Sequence, residues 1–385
     1  MNEKREKLFF YLENRQNDNA KELLLRPFAD DLKKTHQNPK WHGEDDVLTH
    51  TDMVVEELLH LPEFSKLEKR KQNELFCAAV LHDIGKPACT KQIDGEWKSP
   101  HHAVKGAMLA REYLWREFGM AGKSELMQFR ETVCLLIRYH DDPLHFMKFE
   151  DAERRIRRIA ANGELVPDFS LEMLYLLSQA DTRGRICEDK SDSITNLELF
   201  AELCKSLSCF EKPYPFPDSH TEFSYLNGKN ITPELPFYND TWGEVILMSA
   251  LPGTGKDTYI KEDFSNMPMI SLDEIRKELG IRPTGNQGKV VALAKERAKE
   301  LLRAHQPFVW NATCTTDDMR RQQIDLFTKY GASVRIVYLE TGIEECLSRN
   351  AGRENSVPER IIEKLLHSLV VPERYEATKV EWQCV

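Results

Sequence analysis

The chain has 385 residues, of which 41% are hydrophobic and 30% are charged, and this composition is typical of a globular protein with a sizeable core. The length predicts two to three domains. The formal net charge of −10 argues against a protein that coats long nucleic acid through a basic face.

The cysteines and the N-terminal segment indicate the compartment. The nine cysteines form no C-x-x-C pair, which favours reduced thiols over a disulfide framework. The N-terminal segment MNEKREKLFFYLENRQNDN is charged and lacks the apolar core of a signal peptide. No apolar run approaches the ~20 residues of a membrane helix. We therefore expect a soluble cytoplasmic protein with no membrane partner.

The first predicted domain, residues 1–210, is rich in helical patterns. Segments such as VLTHTDMVVEELLHL and ETVCLLIRYH place apolar residues at spacings of three and four. Turn residues such as Asp94 and Gly95 are expected to end the helices. Little of this region alternates with period two, so we expect an all-α helical bundle.

The composition changes at residues 211–240, where proline and aromatic residues crowd a segment that a long helix cannot cross. We interpret this segment as a linker. Residues 241–385 then alternate helical segments with short apolar strands, namely EVILMSA, MPMISLD, FVWNAT and SVRIVYLE. Strands separated by helices predict an α/β domain whose parallel sheet is covered on both faces.

The segment ALPGTGKDT, residues 250–258, joins a predicted strand to a predicted helix and has the composition of a phosphate-binding loop. The N–H groups of a glycine-rich turn and the positive end of the following helix can surround phosphate oxygens, and Lys256 would reach the terminal phosphates. We expect ATP, or another nucleoside triphosphate, to bind here with Mg²⁺. The predicted ATP-binding residues are Pro252, Gly253, Thr254, Gly255, Lys256, Asp257 and Thr258.

Two positions depart from the usual pattern of such loops. Ala250 replaces the first glycine, and Asp257 replaces the serine or threonine that follows the lysine and ordinarily ligates Mg²⁺. Either Thr258 supplies the hydroxyl instead, or Asp257 acts directly or through water. Because a carboxylate beside the β- and γ-phosphates is repelled without an intervening cation, we predict that Asp257 faces Mg²⁺ or its waters.

Asp273, in SLDEIR, ends the second predicted strand of this region, and the carboxyl ends of parallel strands line the ligand crevice. It could accept a proton from an attacking hydroxyl, and it could also cap the following helix. Arg276, one helical turn on, could hold an anionic part of the acceptor. Arg349 or Arg353 could neutralise the transferred phosphoryl group. Asn311 and Thr313 could position Mg²⁺ or the acceptor.

Together these motifs resemble the 5′-hydroxyl polynucleotide kinase branch of the P-loop phosphotransferases. The resemblance implies that Asp273 is the general base and that Arg276 grips the phosphate next to the terminal nucleoside. It also implies that Arg349 or Arg353 is a lid arginine. That family usually has serine after the lysine, and Asp257 departs from its pattern.

The first domain carries a second set of polar residues, on or beside its predicted helices. A helical bundle can bring such residues together at one end. Imidazole and carboxylate ligands suit Mn, Fe, Co, Ni, Zn or Cu more than Mg, and two such metals can activate water and clamp a phosphoryl group. We therefore expect phosphoester hydrolysis. The residues are His50, His82, Asp83, His101, His102, His140 and Asp181.

This H…HD…H…H…D order resembles the HD phosphohydrolase superfamily over about residues 40–190. His102 is preferred to His101 because its spacing to Gly106 fits that family. His42 and Lys86 could contact the substrate phosphate. The metal ligands that the resemblance implies are His50, His82, Asp83 and Asp181 for one ion, and His102 and His140 for a second, with Asp83 as the bridge.

An HD domain followed by this type of kinase resembles the bacterial HD–polynucleotide kinase family, which heals broken nucleic-acid ends. The resemblance implies that the first domain removes 2′,3′-cyclic, 2′- or 3′-phosphates. The second would phosphorylate 5′-hydroxyl ends of RNA or DNA, and the product ends would pass to a ligase. Two alternatives stay open, namely an HD nucleotidase fused to a nucleoside kinase, and an HD hydrolase regulated by an ATP-binding switch domain.

Overall fold

The computed structural model describes residues 2–282, 285–353 and 356–385. The chain divides into two compact units. The first extends to Pro215, apart from residues 121–124, which belong with Phe216–Val385 to the second. All nine cysteines lie in the described residues and are unbridged. Within this part of the chain, no helix has both the length and the apolar character needed to cross a membrane.

The first unit is helical, which confirms the prediction from the spacing of its apolar residues. A short antiparallel hairpin of strands β1 (Lys91–Ile93) and β2 (Glu96–Lys98) also occurs in it. Its turn residues Asp94 and Gly95 have positive φ, so they connect two strands instead of ending a helix. The helices are α1 (Glu3–Glu13), α2 (Asn17–Leu25), α3 (Ala29–Lys34), α4 (Val47–His60), α5 (Pro62–Lys66), α6 (Lys69–Leu81), α7 (Lys86–Cys89), α8 (His102–Phe118), α9 (Ser124–Tyr139), α10 (Asp142–His145), α11 (Ala152–Ala160), α12 (Leu171–Arg183) and α13 (Lys190–Ser206), with 3₁₀ turns at Phe146–Lys148 and Ala161–Glu164.

Helices α4, α6 and α12 pack against one another. Helix α4 begins after Asp46, whose carboxylate accepts the Thr49 N–H at 2.9 Å, and α12 begins after Ser170, which caps it in the same way. The buried residues of α4 recur at three- and four-residue spacings, whereas α12 is buried at nearly every position. His50 and Asp181 lie among them, so the core-facing sides of two helices carry polar groups.

Within the described residues, the second unit is built on a five-stranded parallel sheet with strand order β4–β5–β3–β6–β7, which confirms the predicted α/β class. Strand β3 is central and almost wholly buried, as expected for a sheet covered on both faces. The strands are β3 (Glu244–Ala250), β4 (Met269–Ser271), β5 (Val309–Asn311), β6 (Ser333–Glu340) and β7 (Lys379–Cys384). The helices are α14 (Ser219–Leu226), α15 (Lys256–Asp263), α16 (Leu272–Glu278), α17 (Gly288–Arg303), α18 (Asp317–Lys329), α19 (Ile343–Ala351) and α20 (Glu359–His367), with a 3₁₀ turn at Arg374–Glu376.

Three details of the second unit differ from the sequence interpretation. Strand β4 ends at Ser271, whose hydroxyl caps α16 by accepting the Glu274 N–H. Asp273 therefore lies in the first turn of α16 and not at the end of a strand. Strand β7 was not predicted; its mixed sequence KVEWQC pairs with β6 at the edge of the sheet. Helix α14 lies within the segment interpreted as a linker.

Candidate active sites

The six predicted metal ligands of the first unit converge on one buried cluster. They are His50 on α4, His82 and Asp83 directly after α6, His102 at the start of α8, His140 directly after α9, and Asp181 on α12. Within the described residues, all six belong to groups whose ligand atoms lie within 4.8 Å of one another. The Asp83 carboxylate is central, 3.1 Å from His82 Nε2 and 3.3 Å from His102 Nε2. The neighbouring His101 is exposed.

Three of the histidines are oriented by backbone carbonyls. The Nδ1–H groups of His82, His102 and His140 donate to the carbonyl oxygen three residues earlier, at 2.8, 2.9 and 2.7 Å respectively. Because a carbonyl oxygen only accepts, these bonds place the proton on Nδ1 and leave the Nε2 lone pair free to ligate. The Nε2 atoms of His102 and His140 then lie 3.3 Å apart, and a cation between them would satisfy both lone pairs.

The buried atoms of this cluster fit a metal ion. Among the described residues, His82 Nε2 and both oxygens of Asp83 make no hydrogen bond of normal geometry, although the Lys86 ammonium lies 2.7 Å from Asp83 Oδ2. Burial raises the pKa of Asp83, but the neighbouring His82 imidazole and Lys86 ammonium outweigh burial and hold this pKa well below its ordinary value. An ionised carboxylate among imidazoles suits transition metals, so the six residues would hold one or two such ions.

His50 is oriented by a carboxylate that the sequence analysis missed. Glu44 Oε1 lies 2.9 Å from His50 Nδ1 and 2.7 Å from His42 Nδ1. His50 Nε2 is left to face Asp181 at 2.9 Å, an arrangement typical of carboxylate–histidine–metal triads. Burial lowers the pKa of His42 to about 4, so its ring is neutral at pH 7. In the sequence, the feature that could have identified Glu44 is the acidic run in WHGEDD.

We expect Glu44→Gln to weaken metal binding by the first unit by about 10- to 100-fold, the usual effect of removing a group that orients a ligating histidine. The amide keeps the size of the side chain but loses the charge that holds two imidazoles. The measurement is bound metal per chain after dialysis against graded metal buffers. Asp45→Asn, at an exposed neighbouring acid, is the control. Unchanged affinity in the Glu44 variant would contradict this role.

A cavity of about 530 Å³ lies beside the cluster, a size typical of small-ligand sites. Two of its lining residues were missed from the sequence. The Asp141 carboxylate lies 3.4 Å from His102 Nε2, and Arg185 forms an ion pair with Asp181, one turn earlier on the chain. Asp141 follows His140 in the segment YHDD, and Arg185 follows Asp181 in the segment DTRGR, so each lies close to a predicted ligand in the sequence. The predicted residues that line the cavity are His42, Asp83, Lys86, His102, His140 and Asp181.

The second unit contains the predicted strand–loop–helix arrangement, with the glycine loop between β3 and α15. Gly253 and Gly255 have φ values of 86° and 100°, which other residues rarely adopt. A Cβ atom at Gly253 would lie 2.3 Å from the Cys346 carbonyl oxygen. The loop therefore has a backbone shape that depends on glycine, and it leads directly into the N-terminus of a helix.

A cavity of about 1060 Å³ lies beside this loop. In it, Asp273 and Arg276 form an ion pair, and Arg276 Nε donates to Gln287 Oε1 at 2.8 Å. Burial lowers the pKa of Lys256, at the start of α15. The cavity therefore joins the glycine loop to the predicted base. The predicted residues that line it are Pro252, Lys256, Asp257, Asp273, Arg276, Thr313 and Arg353.

Asp257 is held by two side chains. Its Oδ1 accepts a hydrogen bond from Asn311 Nδ2 at 2.9 Å, and its Oδ2 pairs with Arg353 at 2.9 Å. Arg349 instead donates to a loop carbonyl at 3.1 Å. Of the two predicted lid arginines, Arg353 lines the cavity and Arg349 is absent from its described lining. Thr258 is exposed on α15 and is likewise absent from that lining.

Comparison with known families gives one match in each unit. A family described as an HD domain matches residues 47–166, and a family described as an AAA domain matches residues 245–372. Among solved structures, a gluconokinase from Sinorhizobium meliloti 1021 is similar at 17% identity and a TM-score of 0.28, over 37% of this chain and 83% of that chain. The two family matches, with the helical first unit and the parallel sheet of the second, show that the chain carries an N-terminal HD domain fused to a C-terminal P-loop kinase-like domain.

Proposed function

We propose that this protein is a bifunctional enzyme that heals nucleic-acid ends. Its HD domain removes 2′,3′-cyclic, 2′- and 3′-phosphates, and its kinase domain transfers phosphate from ATP to 5′-hydroxyl ends of RNA or DNA. One observation carries the proposal: a single chain combines a candidate metal site for phosphoester hydrolysis with a phosphate loop whose cavity contains the carboxylate of Asp273. The products, a 3′-hydroxyl and a 5′-phosphate, are the ends that a ligase joins.

In the kinase domain, Asp273 accepts the proton of the 5′-hydroxyl as its oxygen bonds to the γ-phosphorus and the bond to ADP breaks. The Asp273 side chain is 60% exposed and is paired with Arg276. An acceptor phosphate that binds Arg276 releases the carboxylate for this task. Lys256 and Arg353 lie on the loop side of the cavity and neutralise the transferred phosphoryl group.

We expect Asp257→Ala to raise the Mg²⁺ concentration for half-maximal kinase activity by about tenfold, or ~1.4 kcal/mol of lost binding free energy. The reason is that Asp257 stands where such loops place a hydroxyl ligand. Asp257→Ser, which restores that hydroxyl, should recover most of the affinity. A Mg²⁺ titration of the kinase rate measures the effect, with Glu262→Gln at an exposed acid on α15 as control. Full activity of the alanine variant at low Mg²⁺ would refute this role.

In the HD domain, the chain supplies both the metal ligands and the phosphate contacts. Bound transition metals would supply an activated water and a Lewis acid at this site. Lys86 and Arg185 line the cavity and pair with the carboxylates of Asp83 and Asp181. With those carboxylates engaged as ligands, the two cations are free to hold the phosphate oxygens. The oxygen of water then bonds to phosphorus, the ester P–O bond breaks, and the leaving alkoxide takes the proton that the water gives up.

The test uses an oligonucleotide with a 5′-hydroxyl and a 2′,3′-cyclic phosphate, incubated with ATP, Mg²⁺ and Mn²⁺, after which both termini are mapped. We expect a 5′-phosphate and a 3′-hydroxyl. Faster turnover of nucleosides and mononucleotides than of oligonucleotides would favour the nucleotidase fused to a nucleoside kinase. Loss of the 3′-phosphate with no 5′-phosphorylation of any acceptor would favour the ATP-binding switch.

A further inference from the structure

The outer part of the HD cavity is aromatic. Trp41, Trp97 and His36 line the same cavity as Asp83 and His140. Trp41 is 38% exposed, and Trp97 lies on the hairpin strand β2 with partial exposure. Neither indole ligates metal or contacts phosphate in the chemistry proposed for the cluster, so the presence of both at this cavity calls for another role.

Each indole is backed by a neighbouring side chain. The rings of His36 and Trp97 have centroids 5.3 Å apart and planes inclined by 30°. The Lys40 ammonium lies 4.7 Å from the centroid of the Trp41 ring. Contacts of this kind restrict the indoles before any ligand arrives, and a preoriented indole stacks on a flat ring at a lower cost in entropy.

The hairpin that carries Trp97 is tied to the metal cluster through Ser99. The Ser99 hydroxyl lies 2.8 Å from the Thr90 hydroxyl, which closes the base of the hairpin. The Ser99 carbonyl accepts the Nδ1–H of His102 at 2.9 Å. An isolated two-stranded hairpin is marginally stable, so this anchor matters for the position of Trp97. Trp97 is therefore held at a defined position relative to the metal ligand His102.

The lining of the cavity carries as many basic as acidic side chains, and metal cations bound at the cluster would make it suit an anionic ligand, although the whole chain has a net charge of −10. Apart from the carboxylates of the cluster and Asp141, the acidic side chain in the described lining is Glu96. The basic residues of that lining are Lys86, Lys98, Lys148 and Arg185. A ligand that combines a phosphate with a flat ring matches this wall, and a volume of about 530 Å³ is in the range of sites for molecules of nucleotide size.

We propose that Trp41 and Trp97 form a nucleobase subsite, which stacks the base of the 3′-terminal nucleotide while its phosphate lies at the Asp83 cluster. This inference rests on the proposed phosphoesterase function and narrows its substrate to phosphates carried by nucleotide ends. Base–aromatic stacking tolerates any sequence because every base has a π-face, so the subsite selects an end and not a sequence.

The test compares two 3′-phosphate oligonucleotides that differ in the terminal residue, which bears adenine in one and is abasic in the other. Stacking of ~1–3 kcal/mol per base predicts that the wild-type protein prefers the adenine end by about 5- to 150-fold in kcat/KM. Trp41→Ala and Trp97→Ala should each bring this ratio towards one, and Trp41→Phe should retain it. Phe10→Ala, at an exposed aromatic residue outside the described cavity lining, is the control.

The subsite is overturned if the adenine-to-abasic ratio of kcat/KM keeps its wild-type value in both alanine variants. It is also overturned if the variants lose rate equally on the adenine and the abasic substrates. Wild-type protein that releases phosphate from neither end overturns the proposed function. In that case the subsite is judged by tryptophan fluorescence during titration with adenosine 3′-monophosphate. Quenching that disappears in the Trp41→Ala/Trp97→Ala double variant supports the subsite, and absence of quenching in the wild-type protein refutes it.

Discussion

Asp83→Asn is expected to lower the phosphoesterase activity by roughly 10³-fold or more, because bound metal provides the activated water. The carboxylate of Asp83 lies 3.1, 3.3, 3.8 and 4.0 Å from the Nε2 atoms of His82, His102, His50 and His140. An amide in its place loses the negative charge and offers N–H donors to those lone pairs. Two N–H groups can satisfy two of the four lone pairs, and we expect the variant to fold without metal.

Because the chain has two proposed activities, measuring both distinguishes a loss of metal in the Asp83→Asn variant from misfolding. Phosphate release from a 3′-phosphate oligonucleotide and metal content after dialysis should both fall, while transfer of labelled γ-phosphate to a 5′-hydroxyl should continue. Asp52→Asn, at an exposed acid on α4, should change none of the three. An Asp83 variant that retains its metal and its phosphoesterase rate would show that this carboxylate is not a ligand.

Asp273→Asn is expected to lower kcat of the kinase by about 10²- to 10⁴-fold, the usual contribution of a general base, with little change in the KM for ATP. The asparagine cannot accept the proton of the attacking hydroxyl. Stability should hold, because the structure places the helix cap at Ser271 and not at Asp273. The capping role that the sequence left open for Asp273 is therefore filled by another residue.

Single-turnover measurements with saturating ATP report the chemical step, and thermal unfolding reports stability. Glu274→Gln is the matched control, since this carboxylate is the next residue on α16 and lines the same cavity. Equal losses in the two variants would indicate a general effect of charge. Full kcat in the Asp273 variant would show that Asp273 is not the general base. Phosphate release by the HD domain of the same preparation checks that the protein is intact.

The elements that sequence patterns predicted well are those with strong periodicity. The parallel strands β3 and β6 contain the apolar runs VILM and IVYL, and helix α4 repeats its buried positions at three and four residues. The hairpin β1–β2 pairs locally, but it was missed because its strands are short and polar and its turn residues were interpreted as the end of a helix. The edge strand β7 was missed because its sequence is mixed and its pairing depends on β6, which is distant in the chain.

The same distinction applies to the candidate sites. His82 and Asp83, or Lys256 and its glycines, stand next to one another in the sequence, and such local patterns are visible without a structure. Glu44 and Arg185 stand near their partners in the sequence, but they were missed because no short motif marks them and only the side-chain geometry shows the contacts. Glu44 contacts His50 across a helix cap, and Arg185 pairs with Asp181 at the end of α12.

By itself, the sequence determined the fold class of each domain and most of the side chains of the two candidate sites, because periodicity and short motifs are local properties of a chain. Only the tertiary structure decided how those groups face one another. It showed that Nε2 is the free nitrogen of His82, His102 and His140. It also showed that Arg353 pairs with Asp257 and that two indoles line the cavity of Asp83. Distances of a few ångströms between residues far apart in sequence result from packing, which no local pattern records.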